Sequence, residues 1–383
     1  MTPETPTPEP DRVDGAAHPR ETLNLVGQAA AEATFLDAFN RDRLHHGWLI
    51  TGPRGIGKAT LAWRIARFLL AQPATAQDGS LFADAPPAPD CLAVAPDHPV
   101  ARRIAALSEP RLHLVRRGWD DKRRPPGLRT VITVEEVRRL HAFFALSAAD
   151  GGRRVVIVDC ADEMNAQAAN ALLKLLEEPP ADATLLLVSH QPSALLPTIR
   201  SRCRELRLAT LGARDMAAAL AAAGQDDAAA DAAALSALSG GSVGEAVRLT
   251  GLGGLALYRE LLAVCATAPG LDRTAAIALA DSVVGRAKET RFDLMLRLFE
   301  LFLTRLARSG AGVAPEPEAA QGEAALMARL CPGPQAARRW AEMQQSLSAR
   351  GRTARAVNLD PGAVVLDMLL KLDAAASRDA QPA

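Results

Sequence analysis

The sequence predicts an α/β fold with a doubly wound parallel sheet, followed by helical domains. Three observations support this. Residues 47–70 run from a short apolar segment through a glycine-rich loop into a helical pattern. Two further apolar runs, at residues 155–158 and 185–188, flank another helical pattern. After Thr210 no strand pattern recurs. Strands that alternate with helices favour a parallel sheet covered on both faces, whereas the later region is typical of all-α structure.

The loop within residues 47–70 is a candidate phosphate-binding site. Gly52, Gly55 and Gly57 allow a tight turn, because glycine reaches backbone angles that other residues avoid. Lys58 follows at the start of the helical pattern. The loop N–H groups, the positive end of the helix and the lysine ammonium would together attract phosphate. The alternative is a glycine turn without a ligand, which the flanking strand and helix patterns disfavour.

The residue after the lysine departs from this pattern. A P-loop places Ser or Thr there to hold Mg²⁺, but this chain has Ala59, and Thr60 comes one position late. One step along a helix turns a side chain by about 100°. We therefore expect the loop to bind phosphate but to hold the metal poorly.

Composition narrows the class of protein. The 383 residues contain 44 Lys and Arg and 44 Asp and Glu, so net charge gives no case for bulk attraction to nucleic acid. Apolar residues make up 49% and aromatic residues 4% of the chain, which is typical of a globular, helix-rich protein. The cysteines are odd in number and scattered, without C-x-x-C spacing, and so fit a reducing cytoplasm. They are Cys91, Cys160, Cys203, Cys265 and Cys331.

Neither a leader nor a membrane segment is expected. Residues 1–14 are rich in Pro and Glu without an apolar core, unlike a secretory signal. No apolar run approaches 18 residues, so no segment is predicted to span a membrane. Because residues 1–17 hold little that could be buried, we predict a disordered tail there.

A second candidate group ends a strand. Residues 155–158 form a β-branched run that leads directly to Asp159, the place for the carboxylate that holds Mg²⁺ in a P-loop site. The neighbour that would polarise the attacking water is Cys160, which is mostly a thiol at neutral pH and a poor base. The alternative role for Asp159 is a helix cap or a strand-end salt bridge.

One charged run is left without a firm role. Residues 73–128 look irregular apart from a strand predicted at 112–115, and residues 116–124 mix five basic side chains with Trp119. A basic run with a tryptophan suits nucleic acid. We favour a solvated loop, because Asp120 and Asp121 interrupt the run.

The motifs between residues 165 and 203 resemble the clamp-loader branch of the AAA+ proteins. The run Asn-Ala-Gln-Ala-Ala-Asn-Ala-Leu-Leu-Lys-Leu-Leu-Glu-Glu-Pro-Pro occupies residues 165–180, and Pro-Thr-Ile-Arg-Ser-Arg-Cys occupies 197–203. Residues 45–50, before the loop, are similar to the same family. The resemblance covers about residues 20–250 and implies an AAA+ P-loop domain with a small helical lid and a collar.

Within that family the chain departs from the subunit that hydrolyses ATP. The motor subunit carries Ser or Thr at Ala59 and Glu at Cys160, and its lid arginine falls at Gly244. Arg248 lies one turn later, and Ser189-His190 stands near the polar sensor position. The resemblance therefore implies a degraded ATPase site, with ATP bound weakly or not at all. The family often has four zinc-binding cysteines. Only one falls in the matching region, so we expect no zinc.

The resemblance assigns one residue a role outside its own chain. In the Ser-Arg-Cys motif of this family, the arginine reaches the nucleotide of the neighbouring subunit. Arg202 holds that position and would neutralise charge on the γ-phosphate as an arginine finger. A structural salt bridge is the alternative. The residues expected to contact nucleotide within this chain are Gly52, Gly55, Gly57, Lys58, Thr60 and Asp159.

Together these expectations define a subunit rather than an independent enzyme. The predicted parts are a disordered tail (1–17), an AAA+ P-loop α/β domain (18–209), a helical lid (210–252) and a helical collar that mediates oligomerisation (253–383). The resemblance implies a cytoplasmic, non-hydrolysing component of the DNA polymerase III clamp loader, within a DNA-directed DNA polymerase (nucleotidyltransferase) assembly. Its implied partners form a hetero-oligomeric ring: a gamma/tau-type motor subunit, a delta-type subunit, the sliding clamp and primer–template DNA.

Two alternatives remain. An active P-loop ATPase, either a motor subunit or a related remodelling enzyme, would use Gly52, Gly57, Lys58 and Asp159. A P-loop phosphotransferase fits less well, because no substrate domain is evident.

Overall fold

A computed structural model describes residues 9–72, 88–145, 152–285 and 288–379. Residues 1–8 of the predicted tail, and most of the proline-rich stretch that precedes Cys91, lie outside the described residues. The chain divides into two compact units. The first unit, called the α/β unit, comprises Met1–Leu211 together with two short segments, Ala222–Gly224 and Ser242–Gly244. The second unit, called the helical unit, comprises the remainder of the chain.

The α/β unit is built on a five-stranded sheet in the order β2-β5-β6-β1-β7, and every neighbouring pair is parallel. A separate antiparallel pair, β3-β4, forms a short hairpin. The strands are β1 (Gly47–Thr51), β2 (Leu112–Val115), β3 (Trp119–Asp120), β4 (Gly127–Leu128), β5 (Arg154–Val158), β6 (Ala183–Ser189) and β7 (Arg204–Arg207). The doubly wound parallel sheet predicted from the sequence is confirmed, and the order fits an AAA+ domain.

The central strands form because their residues can be buried on both faces. Every residue of β1 and β6 is buried. Trp48 and Ile50 enter one apolar core, and Leu49 enters the other, as the two-residue period of a strand requires. Helices therefore cover both sides of the sheet.

The helices of the α/β unit follow the predicted order, with two differences. The apolar spacing of residues 25–39 predicts a helix from residue 25, but the helix begins at Ala29, after Gly27, which adopts φ 74°. A short helix in the region predicted to be irregular, α3, was not predicted. The helix predicted at 165–178 is confirmed, capped by Asn165, whose side chain accepts from the Ala168 N–H at 2.8 Å. These helices are α1 (Ala29–Asn40), α2 (Lys58–Ala71), α3 (Pro99–Ala105), α4 (Val134–Ala145), α5 (Ala166–Glu177) and α6 (Pro197–Arg200).

In the described chain after Leu211 the regular elements are all helices, as predicted. Its helices are α7 (Ala213–Ala222), α8 (Asp226–Ala229), α9 (Ala232–Ser239), α10 (Val243–Gly251), α11 (Gly254–Cys265), α12 (Arg273–Asp281), α13 (Glu289–Gly310), α14 (Glu323–Leu330), α15 (Pro334–Ala356) and α16 (Pro361–Asp379). The further split into lid and collar stays a prediction. In the described ranges, no helix combines the length and the apolar character that crossing a bilayer requires.

A buried polar group ties three helices of the helical unit together. The Glu323 carboxylate is almost fully buried and accepts from the Tyr258 hydroxyl at 2.6 Å and from Arg305 Nε at 2.8 Å. These side chains come from α14, α11 and α13. Because the carboxylate, the hydroxyl and the guanidinium all have hydrogen-bond partners, the charges are tolerated inside an otherwise apolar bundle.

Residues 9–17 differ from the predicted disordered tail. The Asp11 carboxylate lies 2.6 Å from Arg116 Nη1 and 3.2 Å from His18 Nε2, and its side chain is 1% exposed. Glu9 adds a 2.7 Å ion pair with Arg20. These charged contacts bind the segment to the α/β unit, and composition alone did not reveal them.

Candidate functional site

The candidate phosphate loop joins the central strand β1 to α2, as predicted. Gly52, Gly55 and Gly57 adopt φ values of 139°, 78° and 99°, a region that side chains with a Cβ avoid. At Gly52 a Cβ would lie 2.5 Å from Ile56 Cδ1. The loop thus needs glycine for both its backbone angles and its packing, and it presents the N-terminus of α2 at the carboxyl edge of the sheet.

Lys58 is folded back onto this loop. Its ammonium donates to the carbonyl of Gly52 at 2.7 Å and also to that of Pro53. Burial lowers the pKa of Lys58 to about 8, although Cys160 and Asp162 act in the opposite direction. The side chain is therefore mostly charged at neutral pH and lies where a bound phosphate would be contacted.

A short segment of the chain packs directly on the loop. The Ser242 hydroxyl donates to the Arg54 carbonyl at 2.8 Å, and the Gly244 N–H donates to the Gly55 carbonyl at 2.9 Å. A Cβ on Gly244 would lie 3.1 Å from the Gly55 Cα. Gly244 therefore makes a backbone-to-backbone contact that would have to open for a longer side chain at this position.

Arg248, one turn further along α10, does not replace the missing lid arginine. Its guanidinium is engaged by the carboxylate of Glu245 at 2.9 Å. The ion pair lies within α10, so Arg248 does not compensate for the absence of an arginine at Gly244.

Asp159 follows β5 at the same carboxyl edge, as predicted, and is buried. Its backbone N–H donates to the Val115 carbonyl at 2.8 Å. Burial raises the pKa of Asp159 to about 7, with further contributions from the negative charges of Asp11 and Glu163, and Arg116 and Lys58 only partly offset these effects. Near neutral pH the carboxyl group is thus partly protonated.

The residue in the place of the catalytic glutamate is uncharged. Cys160 adopts φ 58° and its Sγ lies 3.3 Å from His190 Nε2. Burial raises the pKa of the thiol well above its ordinary value and lowers that of His190 to about 4, so both groups are neutral at pH 7. A neutral thiol beside a neutral imidazole does not supply a general base of useful strength.

The donor set fits a phosphate anion but does not fit a hydrolysing Mg–ATP centre. The buried hydroxyl of Ser189 and Nδ1 of His190 have no hydrogen-bond partner among the described residues, and Lys58 is cationic. On the metal side, Ala59 has no hydroxyl, and the hydroxyl of Thr60 comes one position further into α2. Within the same described ranges, no group of three or more His, Cys, Asp and Glu could hold a metal ion.

The sequence analysis missed the acidic neighbour of Asp159. Asp11 comes from the N-terminal segment, and Val13 of the same segment would lie 3.4 Å from a Cβ on Gly244. The segment therefore runs beside the phosphate loop. The alternation of acidic residues with His18 and Arg20 was its only sequence signal.

Arg202 lies at the opposite edge of the sheet. Its Nη1 donates to the Thr198 carbonyl at 3.1 Å, and its Nη2 lies 3.0 Å from Glu177 Oε1 at the end of α5. The side chain remains 37% exposed. A Cβ on Gly47 would lie 3.2 Å from the Arg202 carbonyl oxygen, so the backbone here is tightly packed against β1. Arg202 combines a fixed backbone with an accessible guanidinium.

The sheet register separates Arg202 from the phosphate loop of its own chain. Trp48 pairs with Arg204 and Thr51 with Arg207, so Arg202 is level with the residue before β1. Gly52 lies six strand positions further on, which is roughly 20 Å at the rise of a β-strand. The structure thus does not bring Arg202 together with Lys58 and Asp159.

The fold and the loop define a P-loop α/β protein of the AAA+ type. Residues 27–212 match the family described as "DNA polymerase III, delta subunit". The chain is 40% identical over 212 residues to "DNA polymerase III subunit delta'" of Pseudomonas aeruginosa, a match that covers 54% of this chain and 56% of that protein. Over these residues the chain is similar to clamp-loader AAA+ proteins related to delta′.

Two further proteins are similar to this chain. "DNA polymerase III subunit gamma/tau" of Mycobacterium bovis is 32% identical over 201 residues, which cover 52% of this chain and 30% of that protein. A solved structure, a DNA polymerase III gamma subunit-related protein of Thermotoga maritima, is 16% identical, with a TM-score of 0.39 and coverage of 89% and 99%. The chain spans about half the length of the delta′ relative and about a third of the gamma/tau relative.

Proposed function

We propose that this chain is a delta′-type subunit of a DNA polymerase III clamp loader. In this role it helps an ATP-driven, cytoplasmic assembly to load a sliding clamp onto primed DNA. The observation that carries the proposal is the separation of an exposed, backbone-fixed Arg202 from a phosphate loop without catalytic groups. The names of the delta′ and gamma/tau relatives support it.

In this proposal Arg202 acts on the nucleotide of a neighbouring subunit. A planar guanidinium there would stabilise the charge that develops on the γ-phosphate oxygens. The exposed ion pair with Glu177 holds Arg202 only weakly, because a solvated pair is worth about 0–1 kcal/mol. A phosphate on a partner subunit would compete successfully for the guanidinium.

The proposed partners follow from the same role. They are a gamma/tau-type motor subunit, a delta-type subunit, the clamp and primer–template DNA. Nucleotide contacts of this chain would involve Gly52, Gly55, Gly57, Lys58, Thr60 and Asp159, without turnover.

The test is to reconstitute the loader with Arg202→Ala and to measure clamp- and DNA-stimulated ATP hydrolysis. We expect normal assembly and a lower rate, with poor rescue by Arg202→Lys, because an ammonium does not reproduce the planar fork. Arg200→Ala is the matched control, since Arg200 is exposed and only two residues away. Unchanged rates in a loader that contains Arg202→Ala would make Arg202 a structural residue.

The competing function is an active P-loop ATPase, favoured by the correctly formed loop and Lys58. It predicts turnover by the purified chain with DNA present, on the order of 1 s⁻¹ or more, and loss of that turnover in Lys58→Ala. We expect no such turnover, because Cys160 is neutral and Ala59 has no hydroxyl.

The apolar pattern of the last helix does not by itself support the prediction that residues 253–383 form a collar. The apolar residues crowded on the last helix, among them Val364, Leu369 and Leu372, are buried within this chain and do not require a partner. Apolar side chains of the helical unit that remain exposed are Ile277, Val284, Val313, Val357, Leu359 and Leu370. We propose that this unit mediates assembly through such side chains. Leu370→Asp should then weaken co-elution with the motor subunit without unfolding the chain, and unchanged co-elution would exclude Leu370 from the interface.

A further inference from the structure

The hairpin β3-β4 carries a tryptophan beside a basic cleft. Trp119 pairs with Leu128 across the hairpin and is half-buried. The cleft it lines is open, has a volume of about 1020 Å³, and is also lined by residues of the N-terminal segment and α4. Its basic lining residues are Arg12, Arg20, Arg116, Arg117, Arg129 and Arg139.

Most of these arginines already have an acidic partner. Arg20 pairs with Glu9, Arg116 with Asp11, Arg117 with Glu163 and Arg139 with Glu136, at N–O distances of 2.6–2.8 Å. These pairs shape the wall of the cleft and leave little net charge for a ligand.

Two arginines differ. In the described part of the chain, neither Arg12 nor Arg129 forms an ion pair, and Arg129 Nε is buried without a hydrogen-bond partner. The hairpin tip adds Lys122, Arg123 and Arg124, which are all exposed and likewise form no described ion pair. The cleft and the adjoining tip therefore present five cations that an anionic ligand can use.

The two aspartates in the run, which favoured a solvated loop, have local structural roles. The Asp121 carboxylate accepts from the Trp119 indole N–H at 2.8 Å, and the Asp120 carboxylate accepts from the Lys122 backbone N–H at 3.0 Å. Asp121 thus fixes the indole ring and Asp120 shapes the turn, so the ring is oriented before any ligand binds.

We propose that this hairpin and cleft bind single-stranded nucleic acid. A base would stack on Trp119 while Arg12 and Arg129 contact adjacent phosphates and the tip cations follow the backbone. An oriented aromatic ring beside a basic groove suits single strands, because every unpaired base offers a stacking face. The bases of a duplex are already stacked on one another and are not free to stack on Trp119, and an acidic protein has no base to stack there. The proposal rests on the proposed function, which includes primer–template DNA among the partners, and deepens it by naming a site for single strands on this chain; the binding can still be measured on this chain alone.

Binding can be measured on the full-length chain with oligo(dT) of twenty nucleotides at low salt. The chain has four tryptophans, and Trp48, Trp63 and Trp340 are at most 1% exposed. Quenching of intrinsic fluorescence by the oligonucleotide would therefore report Trp119. We expect saturable quenching, and weaker binding by a duplex of the same length in a competition assay.

Variants are compared by anisotropy of a labelled oligo(dT). Trp119→Ala should weaken binding roughly fivefold or more, and Trp119→Phe should retain most of it. Arg12→Ala with Arg129→Ala should lower the slope of log K against log salt by about 1.4, or about 0.7 for each lost phosphate contact. Arg338→Ala, at an exposed arginine in α15, is the matched control and should leave both quantities unchanged.

Three results would overturn the proposal. They are wild-type affinity in Trp119→Ala, equal affinity for duplex and single strand, and equally effective competition by poly-glutamate. Failure of the chain to assemble into a loader would instead bear on the proposed function, because these measurements contain no other subunit.

Discussion

At the carboxyl edge of the sheet the charged groups are buried and turned toward one another, whereas at the amino edge Arg202 stays exposed. Lys58 donates to carbonyls of its own loop, and Asp159 lies beside other acids. Arg202 pairs with the solvated carboxylate of Glu177 and donates to the Thr198 carbonyl. In the proposed function, the first arrangement suppresses chemistry within the chain, and the second leaves a cation available to another molecule.

In the proposed function, one fold separates two halves of a catalytic apparatus. A P-loop site normally joins phosphate binding, metal binding and water activation at one edge. Here phosphate binding keeps its geometry while Ala59 and Cys160 remove the other two. The arginine is unaffected because it lies roughly 20 Å away, at a distance set by the strand rise.

The largest expected effect comes from removing the exposed cation at the amino edge, and removal of Lys58 at the carboxyl edge is its comparison. In a reconstituted loader, Arg202→Ala should reduce stimulated hydrolysis roughly tenfold to a hundredfold, less than the best arginine fingers, because the ring has several sites. Lys58→Ala should change the same rate less than twofold, since this chain's own site is not expected to turn over. A larger loss in Lys58→Ala than in Arg202→Ala would reverse the comparison.

The next effect concerns the closed loop. Gly244→Arg restores the lid residue of the motor subunit but places a Cβ 3.1 Å from the Gly55 Cα. We expect a loss of about 1–3 kcal/mol in the free energy of unfolding, as for other overpacked sites, without any gain in hydrolysis. Urea denaturation measures the loss, and Gly212→Arg is the control, because a Cβ there meets no atom within 4 Å. Equal stability of the two variants would show that the loop contact is loose.

A smaller effect should appear as a dependence of stability on pH. Asp159 has a pKa of about 7 when folded and near 3.8 when unfolded, so between these values the folded chain holds a proton that the unfolded chain releases. This group therefore lowers the free energy of unfolding as pH rises from about 4 to about 7. His190 acts in the opposite direction between about 4 and 6.5, because its pKa is lowered in the folded state.

Asp159→Asn separates the two contributions. The variant should lose the decrease due to Asp159 and keep the increase due to His190, so its stability relative to wild type should improve as pH rises, by at least about 1 kcal/mol between pH 5 and pH 7. Urea unfolding of both proteins at pH 5, 6, 7 and 8 tests this. Parallel curves would mean that Asp159 has no raised pKa.

The smallest effect is expected from repairing one part of the metal site. Ala59→Thr supplies the hydroxyl that the loop lacks, yet the neutral Cys160 and the contact at Gly244 remain. We expect ATP hydrolysis by the purified chain to stay at background. Measurable turnover in Ala59→Thr, absent from Ala59→Val, would show that the hydroxyl alone limits the site.

The sequence predicted those parts that depend on neighbouring residues. The loop, α2, α5 and the buried strands each follow from a local pattern of glycine, caps or apolar spacing, and the structure confirms them. The pairing of Asp11 with Arg116 spans 105 positions and leaves no periodicity, so it was missed. The contact of Gly244 with Gly55 involves only backbone atoms of the two residues, so no side-chain pattern in the sequence reveals it.

The tertiary setting also changed the meaning of some patterns. The apolar residues crowded on α16 suggest from the sequence an excess that a partner must cover, but helix packing within the chain buries most of them. Asp120 and Asp121 were interpreted as diluting a basic run, but they serve the hairpin itself. The amino-acid composition gives the number of such residues, but it does not show which group each of them contacts.

The ion pairs of residues 9–20 have a consequence for ligand affinity. Because Asp11 and His18 are almost fully buried, we expect a chain in which this segment has detached to be a minor species. A ligand that needs the surroundings of Asp159 clear would bind only that species, and its apparent Kd would rise by the inverse of the detached fraction. At a detached fraction of about 1%, affinity would fall about a hundredfold. The N-terminal segment would thus raise the ligand concentration that is needed to occupy the loop, although the segment itself would not contact the ligand.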